Sequence, residues 1–175
     1  MLKRLLALVV IGCALLVNAE EASCPFCDPT VLEEQTFYED ELIVALYSNK
    51  PLFPGHCLII PKRHIERFEE LSDKEVSQLY QTLKKVNQVV AHVFETSAYL
   101  LLQKNGTEVG QSVPHVHMHY IPRQEGDDST VKFIMRLFIP KAPLSMEEMH
   151  ENVEKLRCSF SSFFPKGDEV KDSAD

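Results

Sequence analysis

The sequence predicts an α+β fold: an antiparallel sheet with one long and one C-terminal helix packed on it. Three observations lead there. Short β-rich runs, ELIVALY (41–47) and CLIIP (57–61), come before a long segment of helical period, and SAYLLLQ (97–103) and HVHMHYI (115–121) come before a second one. Both helical segments open on a capping pair, which marks a helix start independently of packing. The resulting order of strands, helix, strands, helix favours layered α+β architecture.

Taken in order, the first two runs flank SNKPLFPG, whose turn-forming residues suggest neighbouring antiparallel strands. The segment 72–95 begins with Ser72 and Glu75 and repeats apolar residues at 76, 79, 80, 83, 86, 90, 93 and 94, the period of one helix face. After SAYLLLQ comes the glycine-bearing loop KNGTEVGQ, and then HVHMHYI as a strand alongside. The segment 144–164 opens on Ser145 and Glu148 and reads as the second helix. The chain carries no internal repeat and no low-complexity stretch. One domain, 20–164, and a loose acidic tail, 165–175, account for everything after residue 19.

Residues 1–19 stand apart. A short basic start, MLKR, precedes the apolar run LLALVVIGCALLV, and small residues end at Ala19. The run is shorter than the roughly 20 residues a transmembrane helix needs, so it is expected to be an export signal. VIGC ending at Cys13 offers a lipoprotein box as the alternative, and a misassigned start with a cytoplasmic product is a third. Loss of 1–19 removes Lys3 and Arg4 and no acid, taking the net charge from −8 to −10. So acidic a body argues against nucleic acid and, unless Cys13 is lipidated, against membranes. Any anionic ligand must be met by a local pocket.

The chemistry concentrates in GQSVPHVHMHYIPR (110–123), where His115, His117 and His119 occupy alternate positions. Strand geometry aims the three imidazoles to one face and Val116, Met118 and Tyr120 to the other. A flanked imidazole such as His117 suits nucleophilic catalysis: one nitrogen attacks while the other is held in a fixed tautomer. The loop before it adds backbone amides and the Ser112 hydroxyl as a cradle for phosphate oxygens. Three imidazoles on one face also suit a metal site, and the residues alone leave those two readings even. Cys24 and Cys27, in CPFC, are open to a disulfide, a redox pair or half a zinc site.

HVHMHYIPR preceded by GQSVP, together with PGHCLIIPKRH at 54–64 and the long helix between them, resembles the histidine-triad superfamily over roughly residues 24–140. The order of the pieces resembles the branch of fragile-histidine-triad dinucleoside polyphosphate hydrolases. That resemblance implies a homodimer sharing a sheet, and nucleotidyl hydrolase or transferase activity on dinucleoside polyphosphates, with a divalent cation accompanying the substrate. It implies His117 as nucleophile, His119 and Ser112 on the phosphate, and the His115 carbonyl orienting the His117 ring. It further implies a structural Zn2+ held by Cys24, Cys27, His64 and His115, with His56 as a competing fourth ligand expected instead to brace its loop.

Two positions depart from the family pattern. Ser48 and Asn49 stand where many relatives hold the ribose hydroxyls with an acid or asparagine, and Lys104 and Asn105 where many have asparagine or glutamine. Asn49, Lys104, Asn105 and Gln111 are therefore expected to contact substrate, Lys104 beside the leaving polyphosphate. Arg123 is expected to reach a distal phosphate or brace its loop, and His92 and His150 to be ordinary helix residues. The alternatives are a nucleotide-binding regulatory protein with weak turnover, a nucleoside phosphoramidate hydrolase, and an exported zinc protein whose triad binds metal. The superfamily's intracellular substrates sit awkwardly with an export signal.

Overall fold

The structure, a computed structural model, describes residues 24–165 apart from positions 128, 138 and 140. The signal expected at 1–19, Cys13 and all but the first residue of the tail lie outside the described residues. Five strands form one antiparallel sheet: β1 (Thr36–Glu39), β2 (Ile43–Tyr47), β3 (Cys57–Pro61), β4 (Ala98–Gln103) and β5 (Met118–Arg123). Their spatial order is β1-β2-β3-β5-β4, so the triad-bearing strand lies inside the sheet between β3 and β4. The helices are α1 (Pro29–Gln35), α2 (Asp73–Val93), α3 (Thr130–Arg136) and α4 (Met146–Phe163).

The α+β expectation holds, and both capping boxes form. Glu75 closes the box of α2 with Ser72 and also takes a two-pronged ion pair from Arg63, at 3.0 and 2.8 Å. That guanidinium and the box hold its carboxyl down at about 2. The pairing ties the loop after β3, which carries His64, to the start of α2.

Two apolar layers share the sheet. On one face Ile43, Ala45 and Tyr47 of β2, Ile59 of β3 and Met118 and Tyr120 of β5 meet Leu79, Leu83, Val86 and Val90 of α2. Helix α4 completes this layer with Met149, Val153, Leu156 and Phe160. On the other face Val44, Leu46, Leu58 and Ile60 are covered by Phe26 and Leu32 from the N-terminal segment. Central strands covered on both faces are buried along their whole length, which is why ELIVALY and CLIIP read as continuous apolar runs.

Four elements differ from expectation. Helix α1 is too short for periodicity to reveal; Asp28 caps it by accepting from the Thr30 amide at 2.9 Å, and proline follows at its first position. Strand β1 (TFYE) and helix α3 are likewise short elements ordered by their neighbours. Strand β5 begins at Met118 rather than His115. The β3–β5 ladder stops at Ile59↔Met118; Pro61 has no N–H to continue it, and Val116 N donates instead to Ile65 O at 2.6 Å. The alternation survives without the ladder, since Val116, Met118 and Tyr120 are all buried in the core.

The turn before β3 depends on Gly55, whose φ is +85° and whose missing Cβ would stand 2.9 Å from both Phe94 Cδ2 and Val90 Cγ1. Gly55→Ala is expected to cost about 2 kcal/mol or more, from left-handed strain plus overpacking. It should appear as a lower urea midpoint at unchanged slope in equilibrium unfolding.

Candidate active site

The three histidines enter β5 from a proline, and each ring is oriented by a backbone or ring partner. His115, fully buried, has Nε2 2.9 Å from Pro61 O. A carbonyl only accepts, so Nε2 carries the proton and Nδ1 keeps a lone pair. His117 Nδ1 lies 2.6 Å from the carbonyl of His115, so Nδ1–H donates and the lone pair is on Nε2. Burial pushes the pKa of both rings below the ordinary imidazole value.

His119 is fixed by a relay. The Leu52 amide donates to His56 Nδ1 at 3.1 Å, which places the His56 proton on Nε2. His56 Nε2 lies 3.1 Å from His119 Nδ1 and donates to it, leaving His119 with a proton on Nε2. Burial, reinforced by Lys141, pushes His56 down to about 4; burial and then the neighbouring His56, His117 and Lys104 push His119 to about 3. Both rings are therefore neutral at pH 7. His56 braces its loop, as expected, and is also a fourth imidazole in the site, joined to His119 by pairing across β3 and β5 that single-chain spacing does not reveal.

Cys24, Cys27, His64 and His115 come together with all four donor atoms within 4.8 Å of one another. Cys24 Sγ is 3.5 Å and Cys27 Sγ 3.7 Å from His115 Nδ1, and Cys27 Sγ is 3.4 Å from His64 Nδ1. A tetrahedral zinc with bonds of about 2.3 Å to sulfur and about 2.0 Å to nitrogen has S···N edges near 3.5 Å, so the donor set fits such an ion. The nitrogen that His115 offers is the one left free by its bond to Pro61, the usual outer-sphere arrangement for a ligating histidine. Both cysteines are free thiols. His56 is not part of this group.

The glycine loop is built differently from a free phosphate cradle. The amides of Gly106, Val109, Gly110 and Gln111 all bond within the loop. Gln111 accepts from Gly106 N and donates to Glu66 O and Val113 O; Asn105 accepts from Phe68 N and donates to Glu69. Asn105 and Gln111 brace the loop, because their amides satisfy backbone groups that the irregular chain leaves unpaired. Arg123 likewise braces: it pairs with Asp127 at 3.1 Å and lies about 5 Å over the Phe53 and Phe133 rings. His92 packs on Phe163, away from the triad.

Ser112, His117 and His119 open with Ser48, Asn49 and Lys104 onto one cavity of about 610 Å³. Phe26 forms part of its apolar wall, its ring edge-on to His117 at 5.3 Å. Four cations, Lys50, Lys104, Arg136 and Lys141, line it and, among the described residues, no carboxylate does, in a chain of net charge −8. The opposed local charge is what the acidic composition requires of an anion site. Gln35, at the end of α1, lines the same cavity and was invisible to sequence reasoning: no motif surrounds it, and α1 itself gave no periodic signal.

Comparison with known proteins agrees with this geometry. The HIT domain profile matches residues 30–126. The chain is 42% identical over 95 residues to the bis(5'-nucleosyl)-tetraphosphatase (asymmetrical) of Schizosaccharomyces pombe, a match covering 54% of this chain and 52% of that protein. It thus spans about half that relative's length. It is 31% identical over 131 residues to the bis(5'-adenosyl)-triphosphatase of Dictyostelium discoideum, covering 74% of this chain and 88% of that one. Among solved structures, a hypothetical histidine triad nucleotide-binding protein from Sulfolobus tokodaii superposes with a TM-score of 0.69 at 28% identity, over 85% of this chain and 99% of the other. With its triad, its five-stranded sheet and this match over more than half its length, the chain belongs to the HIT-domain family.

Proposed function

We propose that the protein is a nucleotide hydrolase or transferase acting on dinucleoside polyphosphates, or related nucleotidyl conjugates, through a covalent nucleotidyl-histidine intermediate. The observation that carries this reading is the lone pair on His117 Nε2, fixed by the 2.6 Å bond from Nδ1–H to the His115 carbonyl. An unprotonated imidazole nitrogen is a competent nucleophile, and a cavity lined by four cations and, among the described residues, by no carboxylate suits a polyanion. The relatives named for bis-nucleosyl tetraphosphate and triphosphate hydrolysis support the substrate class.

In this mechanism Nε2 attacks the α-phosphorus. The bond from phosphorus to the bridging oxygen breaks, and that oxygen departs with the electron pair on the remaining polyphosphate. The ring becomes a cationic nucleotidyl-imidazole whose Nδ1–H stays on the His115 carbonyl, a partial negative charge placed where positive charge develops. His119 Nε2–H and the Ser112 hydroxyl donate to the phosphate oxygens, while Lys104 and the other lining cations hold the leaving chain. A water oxygen then attacks phosphorus, the P–N bond breaks with its electrons returning to Nε2, and the water's proton goes to solvent. Asn49 and Ser48 take the ribose hydroxyls.

Cys24, Cys27, His64 and His115 would hold a zinc ion as a four-donor set, and its contribution there would be structural. Held by these residues, an ion would fasten residues 24–27 to the entry of β5 and keep Phe26 over the cavity wall. A second copy of the chain is assigned to the open edge of the sheet. Strand β4 is paired on one side only; its Tyr99 is exposed beside Tyr80 of α2 and its Leu100 is exposed on the opposite face, an apolar edge that a monomer leaves in water.

Incubated with diadenosine tetraphosphate, the wild type is expected to release AMP. His117→Ala should lower turnover by at least about 10³-fold while retaining nucleotide binding; product chromatography and calorimetry read the two separately. Equal turnover in the variant would sink the covalent mechanism. Metal analysis should give one zinc per chain, lost in Cys24→Ser and kept in His117→Ala; the opposite pattern would place the metal at the triad.

Acid should also destabilise the fold in a defined window. Unfolded imidazoles take up protons near pH 6.5, whereas His56 and His119 in the folded state do so only near 4 and 3. Between these values the unfolded chain holds more protons, so stability falls as pH drops from about 6.5 toward 4, by on the order of 3 kcal/mol for His56 alone. Urea unfolding across pH 4–7 should therefore show a shallower decline in His56→Asn than in the wild type.

A further inference from the structure

We infer that Lys141 is a positioning residue that acts on the phosphate through His119, by polarising a line of hydrogen bonds through the Pro51–Leu52 peptide and His56; the inference rests on the nucleotide reading above and deepens it. Lys141 lies between α3 and α4, on the wall of the cavity. Its ammonium donates to Pro51 O at 3.2 Å and to Leu52 O at 3.0 Å, in the turn between β2 and β3. An ammonium has three donors, so two of them are given to that turn. The same stretch is fastened again three residues on, where Leu144 N donates to Asn49 O at 2.8 Å.

Pro51 O and the Leu52 N–H belong to one planar peptide and point in opposite directions. Holding the oxygen therefore aims the N–H, and it is this N–H that donates to His56 Nδ1 at 3.1 Å. His56 Nε2–H donates in turn to His119 Nδ1, also at 3.1 Å, and His119 Nε2–H is left for the phosphate. Every link runs the same way. Each unit along the line, one peptide and two imidazoles, accepts at one end and donates at the other.

Accepting a hydrogen bond draws electron density through a conjugated unit and makes its own N–H a stronger donor, so successive bonds strengthen one another. The bond at the head of the line is charge-assisted, about twice as strong as a neutral one. The cation also reinforces burial in holding His56 down at about 4, so His56 keeps the single proton that the line needs. Lys141 thus reaches the phosphate as a stronger neutral donor on His119.

The test compares Lys141→Met, the neutral donor Lys141→Gln and the charge-retaining Lys141→Arg with the wild type, using the full zinc-loaded protein and diadenosine tetraphosphate. Lys141→Met should lower kcat by about three- to tenfold with KM changed less than about twofold, because weakening a donor costs less than removing one. Lys141→Arg should recover most of that loss. In a His56→Ala background Lys141→Met should cost less than about 1.5-fold more, since residues acting along one line are not additive. By NMR, the Leu52 amide proton should move upfield in Lys141→Met and Lys141→Gln and stay nearest the wild type in Lys141→Arg. A raised KM at unchanged kcat would assign Lys141 to the leaving chain and overturn the inference. So would an undiminished loss in the His56→Ala background, or a Leu52 resonance that stays in place. Should Lys141→Met fail to fold, Lys141→Gln carries the same expectations. The NMR measurement needs no turnover, so a protein that shows the Leu52 shift yet releases no AMP would refute the hydrolase reading alone.

Discussion

His115 is the residue through which the rest of the site is held. Its side chain donates from Nε2 to the carbonyl of Pro61 at the end of β3, which leaves Nδ1 turned toward the Cys24 and Cys27 thiols. Its own carbonyl accepts the Nδ1 proton of His117. One buried residue thus links the strand end, the N-terminal segment and the ring whose Nε2 opens onto the cavity. The Pro61 carbonyl fixes the tautomer of the His115 ring, and the His115 carbonyl fixes that of His117.

The same logic runs through the second pair of imidazoles. His119 does not choose its own tautomer; His56 sets it, and the Leu52 amide sets His56. Burial keeps both rings neutral, so the chain of bonds ends in an N–H donor rather than a second cation. A neutral donor beside an unprotonated nitrogen is a combination that solvent-exposed histidines, titrating near neutral pH, do not keep. The two apolar layers of the sheet make this burial available: one holds the sheet to α2 and α4, and the other lets Phe26 and Leu32 roof the side where the rings emerge.

Charge is divided between surface and site. The chain is acidic overall, yet Lys50, Lys104, Arg136 and Lys141 line the cavity. Lys104 also bonds Gly110 O at 3.3 Å, so it joins the braced loop to the cavity wall. The glycine loop is rigid for an internal reason, since Asn105 and Gln111 complete its hydrogen bonds. Through that bracing they help position Ser112 at the cavity.

The sequence alone determined what depends on local pattern. Capping pairs and helical period located α2 and α4; alternation put Val116, Met118 and Tyr120 in the core and the histidines on the other face. The spacing of the triad and the CPFC motif carried the family likeness, and with it the group of Cys24, Cys27, His64 and His115. Tertiary structure decided whatever required two distant segments to meet. The His56–His119 bond spans 63 positions, and the bracing of Asn105 depends on the chain after β3. The placement of Gln35 at the cavity depends on where α1 lands against β2. Hydrogen-bond partners and burial are properties of what lies opposite a side chain, and that is set by how the sheet pairs rather than by any residue's neighbours in sequence.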